Sequence, residues 1–225
     1  MDCRGHDSRV KICTRYIIKP VAHLKLLNGQ EKKSDAGALV SDQYYVFSAT
    51  PVDTQDGVSE SILCGMDAAQ DFLEISGEEP LPLFNPLKGL RSSQNEKRDN
   101  ILTDTTEGAG KRLKRTTEAR KWDPVAKQLW EAILLLIMDW DAVPGSTLFD
   151  LLAKTEKYYF LEPYAWKIRA LNTVLKSDAK KRNMDQITDT MRRNNPELKD
   201  FDFSLLREKI KEADQKENRN TTIYI

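Results

Sequence analysis

Apolar positions follow two patterns along this chain, and the change from one to the other divides it. Between Val10 and Cys64 they come in short runs rich in Val, Ile, Tyr and Phe, bounded by turn-forming residues, which is strand sequence. Beyond Trp122 they recur every three or four positions, which is the spacing of helices. Residues 122–175 hold most of the apolar mass. Asp123 stands as an N-cap with Pro124 at the first helical position, where a missing N–H costs nothing. Val125, Leu129, Ile133, Leu136, Ile137 and Trp140 form one apolar stripe, and Ala126, Trp130 and Leu134 a second beside it. A helix apolar over so much of its perimeter is a buried spine. The same periodicity predicts further helices over 148–159, 164–175, 184–193 and 203–215, and short connections make neighbours antiparallel. The last stretch, 221–225, is short and strand-like.

The first half reads differently. Residues 1–9 are polar and loose, 10–18 read as a strand stopped by Pro20, and 21–27 suit either a strand or a short helix before the Asn28-Gly29 turn. Residues 37–49 are strand sequence with a break near Ser41-Asp42. A short strand over 61–64 turns at Gly65 into a helix over 66–75, whose inner face is Met66, Ala69, Phe72 and Leu73. Pro80, Pro82 and Pro86 exclude a regular helix or central strand, leaving a rigid extended arm whose Leu81, Leu83, Phe84 and Leu87 need covering. Residues 91–120 are mostly Ser, Asn, Thr, Lys, Asp and Glu, a composition that buries too little surface to offset ordering entropy. The predicted fold is therefore a two-part α+β protein. It has a small mixed strand/helix domain over 1–90, a flexible linker over 91–120, and an all-helical domain of about five helices over 121–225.

Charge changes this picture at one place. The chain carries 35 basic and 35 acidic residues, which argues against a broad nucleic-acid-binding surface. Residues 1–110 hold 12 basic against 17 acidic, and 111–225 hold 23 against 18. The positive excess is the tract 111–121, with six bases and one acid at the distal end of the linker. Three cysteines are too few for a disulfide scaffold. The start lacks the apolar segment of a signal peptide, and the longest apolar run, 132–138, is far short of the roughly 18–20 residues a membrane span needs. A cytoplasmic address without membrane contact is expected.

The candidate chemistry is sparse. Cys3, His6, Cys13 and Cys64 are enough ligands for a structural zinc, though no close Cys pair anchors the set, and three unrelated thiols describe it as well. Cys64 sits at a strand-to-helix turn, where helix N–H groups favour a thiolate; a nucleophile there would still need a base, and the chain has only His6 and His23. Asp139 and Asp141 end the central helix, where carboxylates are unfavourable unless they cap a turn or meet a partner. No Gly-rich phosphate loop is present. The bases Lys111, Arg112, Lys114, Arg115, Arg120 and Lys121 suit non-specific nucleic acid or an acidic protein surface, or form a solvated linker. The aromatics at 44–45 and 158–166 cannot all point inward, which makes Tyr45, Tyr158, Phe160 and Trp166 candidate interface residues. These residues point away from an enzyme and toward a protein-binding accessory acting through its helical domain. The alternatives are a nucleic-acid-associated regulator using 111–121, with or without zinc, and a thiol enzyme centred on Cys64.

Overall fold

The computed structural model describes residues 1–53, 59–88, 120–140, 142 and 145–225. It consists of an N-terminal mixed β/α unit and a C-terminal bundle of five helices. The expected linker over 91–120 lies, except for Arg120, outside the described residues.

The chain opens with a helix, α1 (His6–Arg15), where the sequence suggested a loose start followed by a strand. β-branched content misleads here because tertiary context outweighs strand propensity. Ile12 is buried, and Arg9 pairs with Asp71 while its Nη1 donates to the Cys3 carbonyl at 3.0 Å. The strand that follows, β1 (Tyr16–Lys25), runs through Pro20 instead of stopping there. Register with its neighbour shifts between Pro20 and Ala22, and β1 is an edge strand, so the missing N–H breaks no central ladder. A two-residue pair, β2 (Lys32–Lys33) and β3 (Leu39–Val40), precedes β4 (Gln43–Pro51) and β5 (Glu60–Cys64). β1, β4 and β5 form an antiparallel sheet in the order β1-β4-β5, and α2 (Met66–Ser76) returns across it.

Both faces of this sheet are covered. Ile18, Tyr45, Phe47, Ala49, Ile62 and Cys64 face α1 and α2, with Phe47 and Phe72 ring centroids 5.5 Å apart. Ala22, Leu24, Tyr44 and Val46 face the bundle and join its core. The bundle comprises α3 (Pro124–Trp140), α4 (Thr147–Lys157), α5 (Ala165–Lys176), α6 (Met184–Asn194) and α7 (Ser204–Glu217). Asp123 caps α3 as the sequence predicts, accepting from the N–H groups of Val125 and Ala126. Leu129, Ala132, Ile133, Leu135 and Leu136 of α3 are fully buried. The helix is apolar over most of its perimeter because its core joins the sheet as well as helices, while Lys127 stays exposed.

The proline-rich arm ties the two parts together. Phe84 bridges to Leu24 at the β1 edge, and Leu87 bridges to Leu198 after α6. At the other end of the chain, residues 221–225 lie against α5 and α6. The buried Asn172 donates to the Thr222 carbonyl and accepts from the Tyr224 N–H, while Met184 N–H donates to the Tyr224 carbonyl. Among the described residues no helix is long and apolar enough to cross a membrane.

Candidate functional site

The connection between α4 and α5, with the first turn of α5, carries four of the exposed large hydrophobic side chains among the described residues. α4 ends in Lys154 and Lys157, a favourable place for cations at a helix C-terminus. The chain then runs through Tyr158 to buried Pro163 and restarts as α5 with Tyr164 at its N-cap position. So many apolar side chains on so short a connection divide between two directions. Tyr159 turns inward against Trp122, 5.3 Å between centroids, and its carbonyl accepts from the Asp123 N–H at 2.9 Å. Tyr158, Leu161, Tyr164 and Trp166 remain exposed, Tyr164 by 74%. They line a groove of about 730 Å³, with Ala126 of α3 and Lys154, Lys157 and Lys167 also in its walls.

The groove is held in shape from several sides. Lys167 Nζ donates to the Lys154 carbonyl at 3.2 Å, joining α5 to α4, and lies 5.4 Å from the Tyr158 ring centroid. Lys154 and Lys157 sit over Trp166 and Tyr158 at 5.6 and 5.5 Å. Glu162 on the rim pairs with Lys209 of α7 at 2.8 Å. Burial, helped by neighbouring Lys154, holds the Lys167 ammonium below its ordinary pKa.

Two of the sequence candidates, Tyr158 and Trp166, therefore meet in one groove. Phe160 stands beside it, its ring under the Arg120 guanidinium at 4.1 Å. The described end of the basic tract thus meets the aromatic run; Lys121 is exposed, and Lys111, Arg112, Lys114 and Arg115 lie outside the described residues. Leu161 and the three lysines were missed by sequence reasoning, and Tyr164, which helical spacing set on the inner face with Ile168, Leu171 and Leu175, is outward. Lys167 borders Ile168, which recurs with Leu171 and Leu175 at helical spacing within 164–175, the one signal that could have marked it.

Tyr45 is corrected. It does leave the bundle-facing side of β4, but it enters a second core and is 2% exposed, stacked 4.1 Å from His23 with its hydroxyl donating to the Leu81 carbonyl. With both sheet faces covered, alternation moves an aromatic from one core to another.

The zinc set is also dispersed. His6 and Cys13 lie on α1 seven residues apart, about 10 Å along a helix axis. His6 Nδ1 contacts Asp71 at 2.8 Å, whereas Cys3 and Cys64 are fully buried. Among the described residues no three His, Cys, Asp or Glu side chains converge as a metal site. Cys64 differs from the expected activated thiol: burial first, then Cys3 and Asp35, pushes it far toward the neutral form, and burial raises Cys3 to about 11. Asp139 is engaged with Arg182 at 2.6 Å, and Asp141 lies outside the described residues.

His23 provides a pH-dependent test of this packing. Burial lowers its pKa, against the raising effect of the Nδ1 bond to the Leu81 carbonyl and of the nearby Gln43 side chain, and among the described residues its buried Nε2 has no hydrogen-bond partner. A folded pKa below the unfolded one gives stability that is present above the unfolded value and lost as pH falls through the folded one. Urea midpoints of the native protein should therefore fall relative to His23→Gln between pH 7 and 5; parallel curves would contradict a buried neutral imidazole.

The chain belongs to the family described as Uncharacterised conserved protein UCP028583, whose model matches residues 1–218. No curated protein and no solved structure matches it.

Proposed function

We propose that this protein is a non-catalytic, cytoplasmic accessory protein that binds another protein through the groove between α4 and α5. The observation that carries the reading is the convergence of Tyr158, Leu161, Tyr164 and Trp166, all exposed, around one concavity. Exposed aromatics clustered at a concave site are the residue types that dominate binding energy at protein interfaces. The cytoplasmic assignment is supported by Cys3, Cys13 and Cys64, all of them unbridged.

The double variant Tyr164→Ala/Trp166→Ala tests the docking role. Both side chains are mostly exposed, so its melting temperature should match that of the native protein. A partner recovered from the native cell and purified should bind the native chain and bind the variant at least about tenfold more weakly. Equal binding would remove the groove from the interaction. A second reading, nucleic-acid contact through 111–121, is favoured by Arg120 lying on Phe160, which sets the end of a basic tract beside an aromatic surface. Retention on non-specific DNA at low salt, lost when 111–121 is neutralised, would support it.

A further inference from the structure

We propose that the groove between α4 and α5 selects an acidic partner segment, with a carboxylate seated at Lys167 beside the start of α5 and an apolar side chain against Leu161 and Trp166. This specificity rests on the docking role proposed above.

Three features favour an anion. Lys167 is 7% exposed, and among the described residues no carboxylate lies within ion-pairing distance of it. Its ammonium has three donors; one goes to the Lys154 carbonyl, and Tyr158 presents a ring face nearby. A buried ammonium without a counter-charge is costly, and a partner carboxylate would relieve that cost when it binds.

The start of α5 is the second feature. No side chain caps its N-terminus and no acid stands in its first turn; the Lys167 N–H donates to the Tyr164 carbonyl, and the N–H groups of Ala165 and Trp166 leave a partial positive charge at the Tyr164–Lys167 wall. The third is the composition of the walls. Lys154, Lys157 and Lys167 face a single acid, Glu162, which Lys209 already neutralises. The groove therefore carries a net positive wall, which complements a negatively charged partner.

A peptide fits these features better than nucleic acid. The lining includes Ala126, Leu161 and Pro163, which suit aliphatic and aromatic side chains. Three lysines against a chain of zero net charge match a few carboxylates rather than a continuous phosphate backbone.

Selection of random dodecapeptides displayed on phage against the full-length protein tests this, with Tyr164→Ala/Trp166→Ala as counter-selection. The groove-dependent pool should be enriched in Asp and Glu together with Leu, Phe or Trp. A synthesised member should bind more weakly as salt rises and lose at least about tenfold when its acids become amides. Lys167→Met, which keeps the buried stem, should weaken binding about thirtyfold or more. Removing a costly buried charge offsets the lost bond to the Lys154 carbonyl, so the melting temperature should change by no more than a few degrees. That combination separates recognition from a structural role.

A groove-dependent pool without acidic enrichment, or full binding by Lys167→Met, would overturn the acidic specificity and leave the docking role standing. An absence of any groove-dependent pool would overturn both. Binding of oligothymidylate to the groove in place of peptides would assign it to nucleic acid. Self-association lost in the double aromatic variant, with no peptide pool, would assign it to a second copy of this chain. Either assignment overturns the proposal.

Discussion

Replacing Phe84 by alanine is expected to cost about 3–5 kcal/mol of folding stability, the range for emptying a buried phenylalanine site. Its ring meets Trp130 edge to face, 5.2 Å between centroids, and lies 6.5 Å from Phe201. Its backbone continues the sheet: the N–H donates to the His23 carbonyl at 2.9 Å, and the carbonyl accepts from the Lys25 N–H at 3.0 Å. Two residues on, the Pro86 carbonyl accepts from the Lys199 N–H at 2.9 Å. Alanine keeps these backbone bonds and removes only the side chain that joins β1 to α3. Since domains of this kind are stable by only about 5–15 kcal/mol, the variant should show a much lower urea midpoint. It should also loosen the sheet from the bundle, seen as a broadened or two-step transition. A cost below about 1 kcal/mol would mean that the arm is not what ties the two parts together.

Arg182→Met should cost a similar amount. Arg182 lies between Asp178 and Asp139, with Nη2 3.0 Å from Asp178 and 2.6 Å from Asp139. All three side chains are mostly buried, Asp178 at 3% exposure. Removing the guanidinium leaves two buried carboxylates without their cation, a change that typically costs about 3–5 kcal/mol. The same triad sets an acid limit. The Arg182 side chain, more than the backbone N–H groups of Arg182 and Lys180, holds the Asp178 carboxyl down at about 2, from an ordinary 3.8. The unfolded chain takes up this proton first. The contribution is therefore complete above the ordinary value and disappears as pH falls from 3.8 toward about 2. Asp178→Asn should be less stable at pH 7 and should lose this part of the acid slope. An unchanged slope would show that other carboxylates set the acid limit.

Much of the fold could be read from spacing. The bundle helices were legible because each carries an apolar stripe at helical period, and Asp123 with Pro124 marked the start of α3. β4, β5 and α2 were legible for the corresponding reasons. The start of the chain was not. Val10, Ile12 and Thr14 favour a strand locally, yet Arg9 and Ile12 find their partners on elements distant in sequence. The candidate site was legible in part: of the interface candidates named in 158–166, Tyr158 and Trp166 line the groove, whereas Phe160 stands beside it and Leu161 and Tyr164 were not named. Tyr159 is inward because Trp122 meets it, and Tyr158 is outward beside three lysines.

The sequence by itself determined the two-part architecture and the buried character of α3. Periodicity and charge are local properties, so they survive without knowledge of the neighbours. Only the tertiary structure decided that Tyr45 is core, that the cysteines and His6 are dispersed, and that Arg120 reaches Phe160. It also decided that Lys167 is a buried cation in the wall of an aromatic groove. Burial and counter-charge depend on what folds against a residue, and for Lys167 those neighbours come from α4 and the connection after it.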